Sequence, residues 1–99
     1  MKYRLLDRLN TNMRAVTRVS NDNAKGAVLG PGSSTVYTEG SRTSLLGDKV
    51  APHGKPPHAS PTIIEGSKTV FATGKPVVRK GDAASCGHVT TGASTVFAG

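Results

Sequence analysis

His53, His58, Cys86 and His88 are all the histidines of this 99-residue chain and its only cysteine, gathered between positions 53 and 88. Each binds zinc as neutral imidazole or thiolate, and four such donors fill a closed tetrahedral site. Taken singly, each histidine reads as an ordinary surface residue beside Gly or Pro, and the cysteine as a small buried hydrophobe. Together, with no other His or Cys in the chain, they read as one metal site. Thiolate and imidazole are soft or borderline donors, so zinc suits the set better than a hard cation, with iron a lesser fit. Four protein donors leave no open position for substrate or water, which makes the expected role structural. No catalytic residue is expected. Asp48 and Asp82 each follow a glycine and suit turn-making through side-chain to backbone hydrogen bonds. The serines lack a histidine that the metal does not claim, and the Gly-rich segments lack a P-loop ending.

The elements that must position these donors repeat along the chain. Gly32-Ser-Ser-Thr-Val-Tyr-Thr-Glu-Gly40, Gly66-Ser-Lys-Thr-Val-Phe-Ala-Thr-Gly74 and Gly92-Ala-Ser-Thr-Val-Phe-Ala-Gly99 share glycine, two small or polar residues, then Thr-Val-aromatic. Such a run, bounded by glycine, predicts a short strand and a tight turn. Val36, Val70 and Val96 then point one way and their aromatic neighbours the other. Lys75-Pro-Val-Val-Arg-Lys-Gly81-Asp82 has a weaker counterpart in Ser41-Arg-Thr-Ser-Leu-Leu-Gly47-Asp48, and a degenerate one in Ala15-Val-Thr-Arg18-Val-Ser-Asn21. The repeats run over about 14–40, 41–74 and 75–99, and the second carries an insertion around Gly54–Pro61. None can bury a core alone, so they must fold against one another. Pro52 and Cys86 stand equally far past their Gly-Asp pairs, which predicts that the two ligand-bearing loops converge while the first repeat supplies no ligand.

Composition agrees with a small β-rich domain needing a staple. The chain has 35% hydrophobic residues, four aromatics, 12 glycines and 6 prolines. A single cysteine cannot form an intramolecular disulfide, so metal or oligomerisation remains. The net charge of +7 is spread rather than clustered, and reads as a solvated surface. A basic zinc module binding nucleic acid is the alternative, but paired cysteines and a recognition helix are missing and no nucleic-acid partner is expected. A zinc hydrolase would need one of the four donors off the metal. The one helix candidate is Tyr3–Arg14, with residues 1–12 as an N-terminal extension ahead of a domain at 13–99. No stretch suits a transmembrane helix, so no stable membrane insertion is expected. The basic N-terminus lacks the apolar core of a signal peptide, so the chain is expected to be made in the cytoplasm.

Gly74-Lys-Pro76-Val77-Val78-Arg79-Lys-Gly-Asp82, then Cys86-Gly-His88 and the closing Thr-Val-Phe run, resembles a PAAR-repeat protein. Pro76-Val77-Val78-Arg79 stands where that family has Pro-Ala-Ala-Arg. The resemblance covers about 13–99; the first repeat has no Pro or Arg in order at 14–22, and the second lacks the tetrapeptide altogether. It implies an all-β, conical, pseudo-threefold domain with a zinc near the vertex, held by His53, His58, Cys86 and His88. It also implies a non-enzymatic tip, one copy capping a trimeric β-helical spike of a type VI secretion system or contractile phage tail. Delivery to the target envelope follows, with contact to an effector or to that envelope.

Overall fold

The computed structural model describes residues 13–99. Most of the predicted helix over 3–14 lies outside these residues; at its end, Arg14 belongs to a strand. The described chain is all-β, in eight very short strands: β1 Arg14–Ala15, β2 Val28–Gly30, β3 Tyr37–Thr38, β4 Ser41–Arg42, β5 Lys49–Val50, β6 Phe71–Ala72, β7 Lys75–Pro76 and β8 Phe97–Ala98. They pair antiparallel as β3 with β4, β6 with β7, β1 with β8, and β2 with β5.

The first three pairs are one hairpin used three times. Tyr37 faces Arg42, Phe71 faces Pro76, and Phe97 faces Ala15. Two of the hairpins turn through Glu39-Gly40 and Thr73-Gly74, all four residues at positive φ, as a tight two-residue hairpin turn requires. The third has no covalent turn, because the last strand closes on the first. The glycine opening each Thr-Val-aromatic run admits the facing strand. A Cβ on Gly92 would lie 2.6 Å from the Ala15 carbonyl oxygen, and one on Gly32 would lie 2.9 Å from that of Thr43.

The hairpins meet in a closed ring of backbone hydrogen bonds. Thr17 N–H donates to Val78 C=O, Val78 N–H to Ser44 C=O, and Ser44 N–H to Thr17 C=O, at 2.9, 3.0 and 2.9 Å. All three residues are fully buried. Around them the pairing repeats: Val16 opposite Arg79, Thr43 opposite Arg18, Val77 opposite Leu45. A chain that cannot build a large apolar core thus satisfies its central polar groups cyclically.

This register corrects the reading of the first repeat. Arg18 stands where Arg79 stands, and Asp22, not Asn21, where Asp82 stands. Asp22 N–H donates to Arg18 C=O as Asp82 N–H does to Arg79 C=O. Asp22 accepts from the Arg18 N–H and guanidinium, as Asp82 does from Arg79. One extra residue between Arg18 and Asp22 hid the match. In the second repeat Leu45 replaces the arginine, and Asp48 instead accepts from the Ser44 hydroxyl and the Leu45 N–H. Asp48 and Asp82 are the turn-makers expected.

Two small apolar clusters flank the ring. One joins Val16, Leu45, Ala72, Val77 and Ala98; the other joins Val19, Ala24, Val28, Val50, Ile63, Val78 and Ala84, with Cys86 packed against it. Tyr37, Phe71 and Phe97 lie in neither: they are 51–57% exposed, and Val36, Val70 and Val96 beside them are 36–42% exposed. The hairpins therefore bury Thr38, Ala72 and Ala98 and present valine and aromatic outward three times. No helix among the described residues is long and apolar enough to cross a membrane.

Candidate metal centre

Each repeat leaves the ring after its aspartate and returns at a residue whose N–H donates to that aspartate's C=O: Val28 to Asp22, Ile63 to Asp48, Thr90 to Asp82. The segments so closed are 23–27, 49–62 and 83–89, and they are stitched to one another. Ala51 N–H donates to Ala27 C=O, Ser85 N–H to Thr62 C=O, and Thr91 N–H to Asn23 C=O. Residues far apart in sequence are thereby brought together.

Within the second segment, His53 N–H donates to His58 C=O at 2.9 Å and His58 N–H to Lys55 C=O at 2.7 Å, so the two histidines sit at the neck of a closed loop. Within the third, Ala84 N–H donates to His88 C=O and Gly87 N–H to Ala84 C=O, at 2.8 and 2.9 Å. Gly87, at φ 92°, reverses the chain between Cys86 and His88.

His53, His58 and Cys86 offer ligand atoms that all lie within 4.8 Å of one another. Cys86 Sγ stands 3.7 Å from His53 Nε2. The His88 ring is packed on both other imidazoles, its centroid 5.4 Å from that of His53 and 5.1 Å from that of His58, but it is not one of the three convergent donors. All four residues are half-buried.

The donors suit a metal ion. His53 Nδ1 lies 3.0 Å from the Ala51 carbonyl oxygen, which can only accept, so Nδ1 carries the proton and Nε2 turns its lone pair toward Cys86. His58 Nδ1 is buried with no hydrogen-bond partner, a costly position that a bound cation would relieve. The His88 imidazole is held below its ordinary pKa, first by burial and then by the charges of His58, His53 and Lys25, which favours the neutral, ligating form. A His53, His58, Cys86 cluster able to bind a metal is thus present. Ala51 was not foreseen from the sequence, because a carbonyl oxygen carries no side-chain signal.

The family model described as PAAR motif matches residues 21–91, which spans all three loop segments. A search of curated proteins returned no match.

Proposed function

The chain belongs to the PAAR-motif family, whose members are structural proteins of secretion spikes, and from that premise we propose that it is a zinc-pinned spike tip. It caps a trimeric β-helical spike of a contractile injection machine, in a type VI secretion system or a phage tail, with one copy per trimer. The observation that carries this reading is the cyclic hydrogen bonding of Thr17, Ser44 and Val78, surrounded by three outward Val-aromatic pairs. One chain with approximate threefold symmetry can meet a true trimer in register, and exposed apolar side chains repeated about that axis give it three equivalent contacts.

Zinc in this reading is held by His53, His58, Cys86 and His88, and supplies a cross-link between the second and third loop segments rather than a reaction centre. His53, His58 and Cys86 converge already, and His88, whose ring packs on both other imidazoles, would supply the fourth donor. The protein is not an enzyme in this account. It is carried to the target envelope on the spike, where the metal stiffens a tip with little room for apolar mass.

The test is metal analysis of the purified protein and of Cys86→Ser, followed by assembly with a trimeric β-helical spike protein. One zinc per chain is expected, with occupancy and melting temperature falling together in Cys86→Ser. One copy should bind per spike trimer. Full zinc and unchanged melting in the variant would remove Cys86 from the site, and three copies per trimer would refute the capping geometry.

A further inference from the structure

The first repeat donates no ligand, yet it reaches the metal site at Gly26. A Cβ built on Gly26 would lie 2.2 Å from the Ala51 carbonyl oxygen and 2.9 Å from His53 Nδ1. Real Cβ atoms essentially never stand closer than 3.0 Å to such a neighbour, so something must shift. The nearest obstacle is backbone, held in turn because Ala51 N–H donates to Ala27 C=O at 2.8 Å. Gly26 is not among the residues of positive φ, so its backbone conformation does not call for glycine. The requirement is space, in contrast to Gly87, whose Cβ would meet nothing within 4 Å and whose φ is 92°.

We infer that Gly26 is the positioning residue of the metal centre: it leaves the gap in which the Ala51 carbonyl and the His53 ring pack, and so fixes the His53 proton on Nδ1 and Nε2 toward Cys86. The three repeats then divide the work. The second and third supply ligands, and the first supplies the surface against which one ligand is oriented. This rests on the metal reading for its consequence, but not for its geometry, since the His53 to Ala51 contact needs no metal. Outer contacts that hold a ligating imidazole typically change metal affinity by about 10–100-fold when removed. A methyl group at 26 pushes against both members of that contact at once.

The experiment uses the full chain and Gly26→Ala. Zinc affinity is measured by competition with a chromophoric chelator, and the His53 tautomer by long-range 1H–15N spectra of the metal-free protein. The expected result is an Nδ1–H tautomer at His53 in the parent chain. In Gly26→Ala the expectation is loss of that single tautomer and about a 10–100-fold weaker zinc affinity, with the amides of Thr17, Ser44 and Val78 as protected as before. An unchanged tautomer with affinity within about 2-fold of the parent would overturn the inference. So would a parent His53 protonated on Nε2, a result that stands even if the variant fails to fold. A parent chain that holds no zinc yet keeps the Nδ1–H tautomer, lost on substitution, upholds Gly26 as the positioning residue and overturns the metal reading instead.

Discussion

The hairpin ring and the loop cluster solve the same problem by different means. In the ring, three hairpins repeat one pairing, and Thr17, Ser44 and Val78 close a cycle in which each donates to one neighbour and accepts from the other. In the loop cluster the three segments differ in length, 23–27 against 49–62 and 83–89, and their side chains share no symmetry. The ring is specified by backbone, so it tolerates Leu45 where its sister repeats have Arg18 and Arg79. The loops are specified by side chains: His58 Nδ1 has no partner inside the protein, and Cys86 closes one edge of the larger apolar cluster. A ring of this kind holds itself together, whereas the loops add to their few backbone stitches whatever joins His53, His58 and Cys86.

Metal removal separates the two regions most sharply. Structural zinc contributes an apparent binding free energy of about 10–16 kcal/mol in small zinc domains, which exceeds the net stability of most domains. Chelation should therefore release amide protection at His58 and Gly87 while Thr17, Ser44 and Val78, and the Ala51 amide that braces the His53 contact, stay protected, read by hydrogen exchange with and without chelator. Simultaneous release in both regions would mean the ring does not stand alone.

Within the ring the largest effect is expected at Asp82, which is 1% exposed and holds the Arg79 main-chain N–H and guanidinium at 2.8 and 3.1 Å. Arg79 is itself 8% exposed, and Arg14 adds a second guanidinium 3.4 Å from the same carboxylate. Asp82→Ala leaves a buried charge with only the Gly66 carbonyl at 3.3 Å, and should cost about 3–5 kcal/mol in denaturant unfolding. Asp82→Ala together with Arg79→Leu, which copies the residue at Leu45, should recover part of that loss. No recovery in the double variant would show that Arg79 is not what Asp82 serves.

Much of this contrast was legible in the residues. The Thr-Val-aromatic runs foretold three short strands, and the confinement of every His and Cys to two loops foretold the convergence of His53, His58 and Cys86, though not of His88 as a donor. Three features were not legible. The closure of Phe97–Ala98 onto Arg14–Ala15 is a long-range pairing that no local pattern encodes. The match of Arg18 and Asp22 to Arg79 and Asp82 was hidden because Ser20 and Asn21 fill a turn that Gly81 alone makes in the third repeat. The outward placement of Tyr37, Phe71 and Phe97 follows from hairpins so short that Thr38, Ala72 and Ala98 take the inner positions, against the general habit of aromatics to lie inside.

A smaller effect tests the seam where the chain closes. Gly92→Ala would put a methyl 2.6 Å from the Ala15 carbonyl oxygen and 2.8 Å from the Ala15 Cβ. Overpacking of this kind costs about 1–3 kcal/mol. Gly66→Ala, whose Cβ would meet Pro76 Cβ at 3.0 Å and the Val77 carbonyl oxygen at 3.3 Å, should cost less. The difference between the two in thermal unfolding measures how much tighter the noncovalent seam is than a hairpin with its own turn. An equal cost would make the three hairpins mechanically equivalent.

The smallest effect is the acid response of the Arg18 to Asp22 pair, and it distinguishes the first repeat from the second, where Leu45 carries no charge. Burial pushes the Asp22 carboxyl up, but hydrogen bonds from the Arg18 side chain, the Arg18 N–H and the Thr91 hydroxyl, with the charge of Arg18, hold it below its ordinary 3.8. The Arg18 guanidinium is correspondingly raised, chiefly by its hydrogen bond to Asp22. A carboxylate lowered on folding stabilises fully above its unfolded pKa and loses that contribution as pH falls through the folded value. The stability gap between the parent chain and Asp22→Asn should therefore hold steady at neutral pH and narrow as pH drops below about 4. Glu39 is lowered as well, mainly by the Thr95 hydroxyl, and pairs with the same Arg18 at 2.9 Å. It titrates in both proteins, so the difference between them isolates Asp22. A gap that stays constant down to about pH 2.5 would mean that Asp22 acts as a hydrogen-bond acceptor alone, as Asp48 does beside Ser44, and that the charge on Arg18 adds nothing to the first repeat that Leu45 withholds from the second.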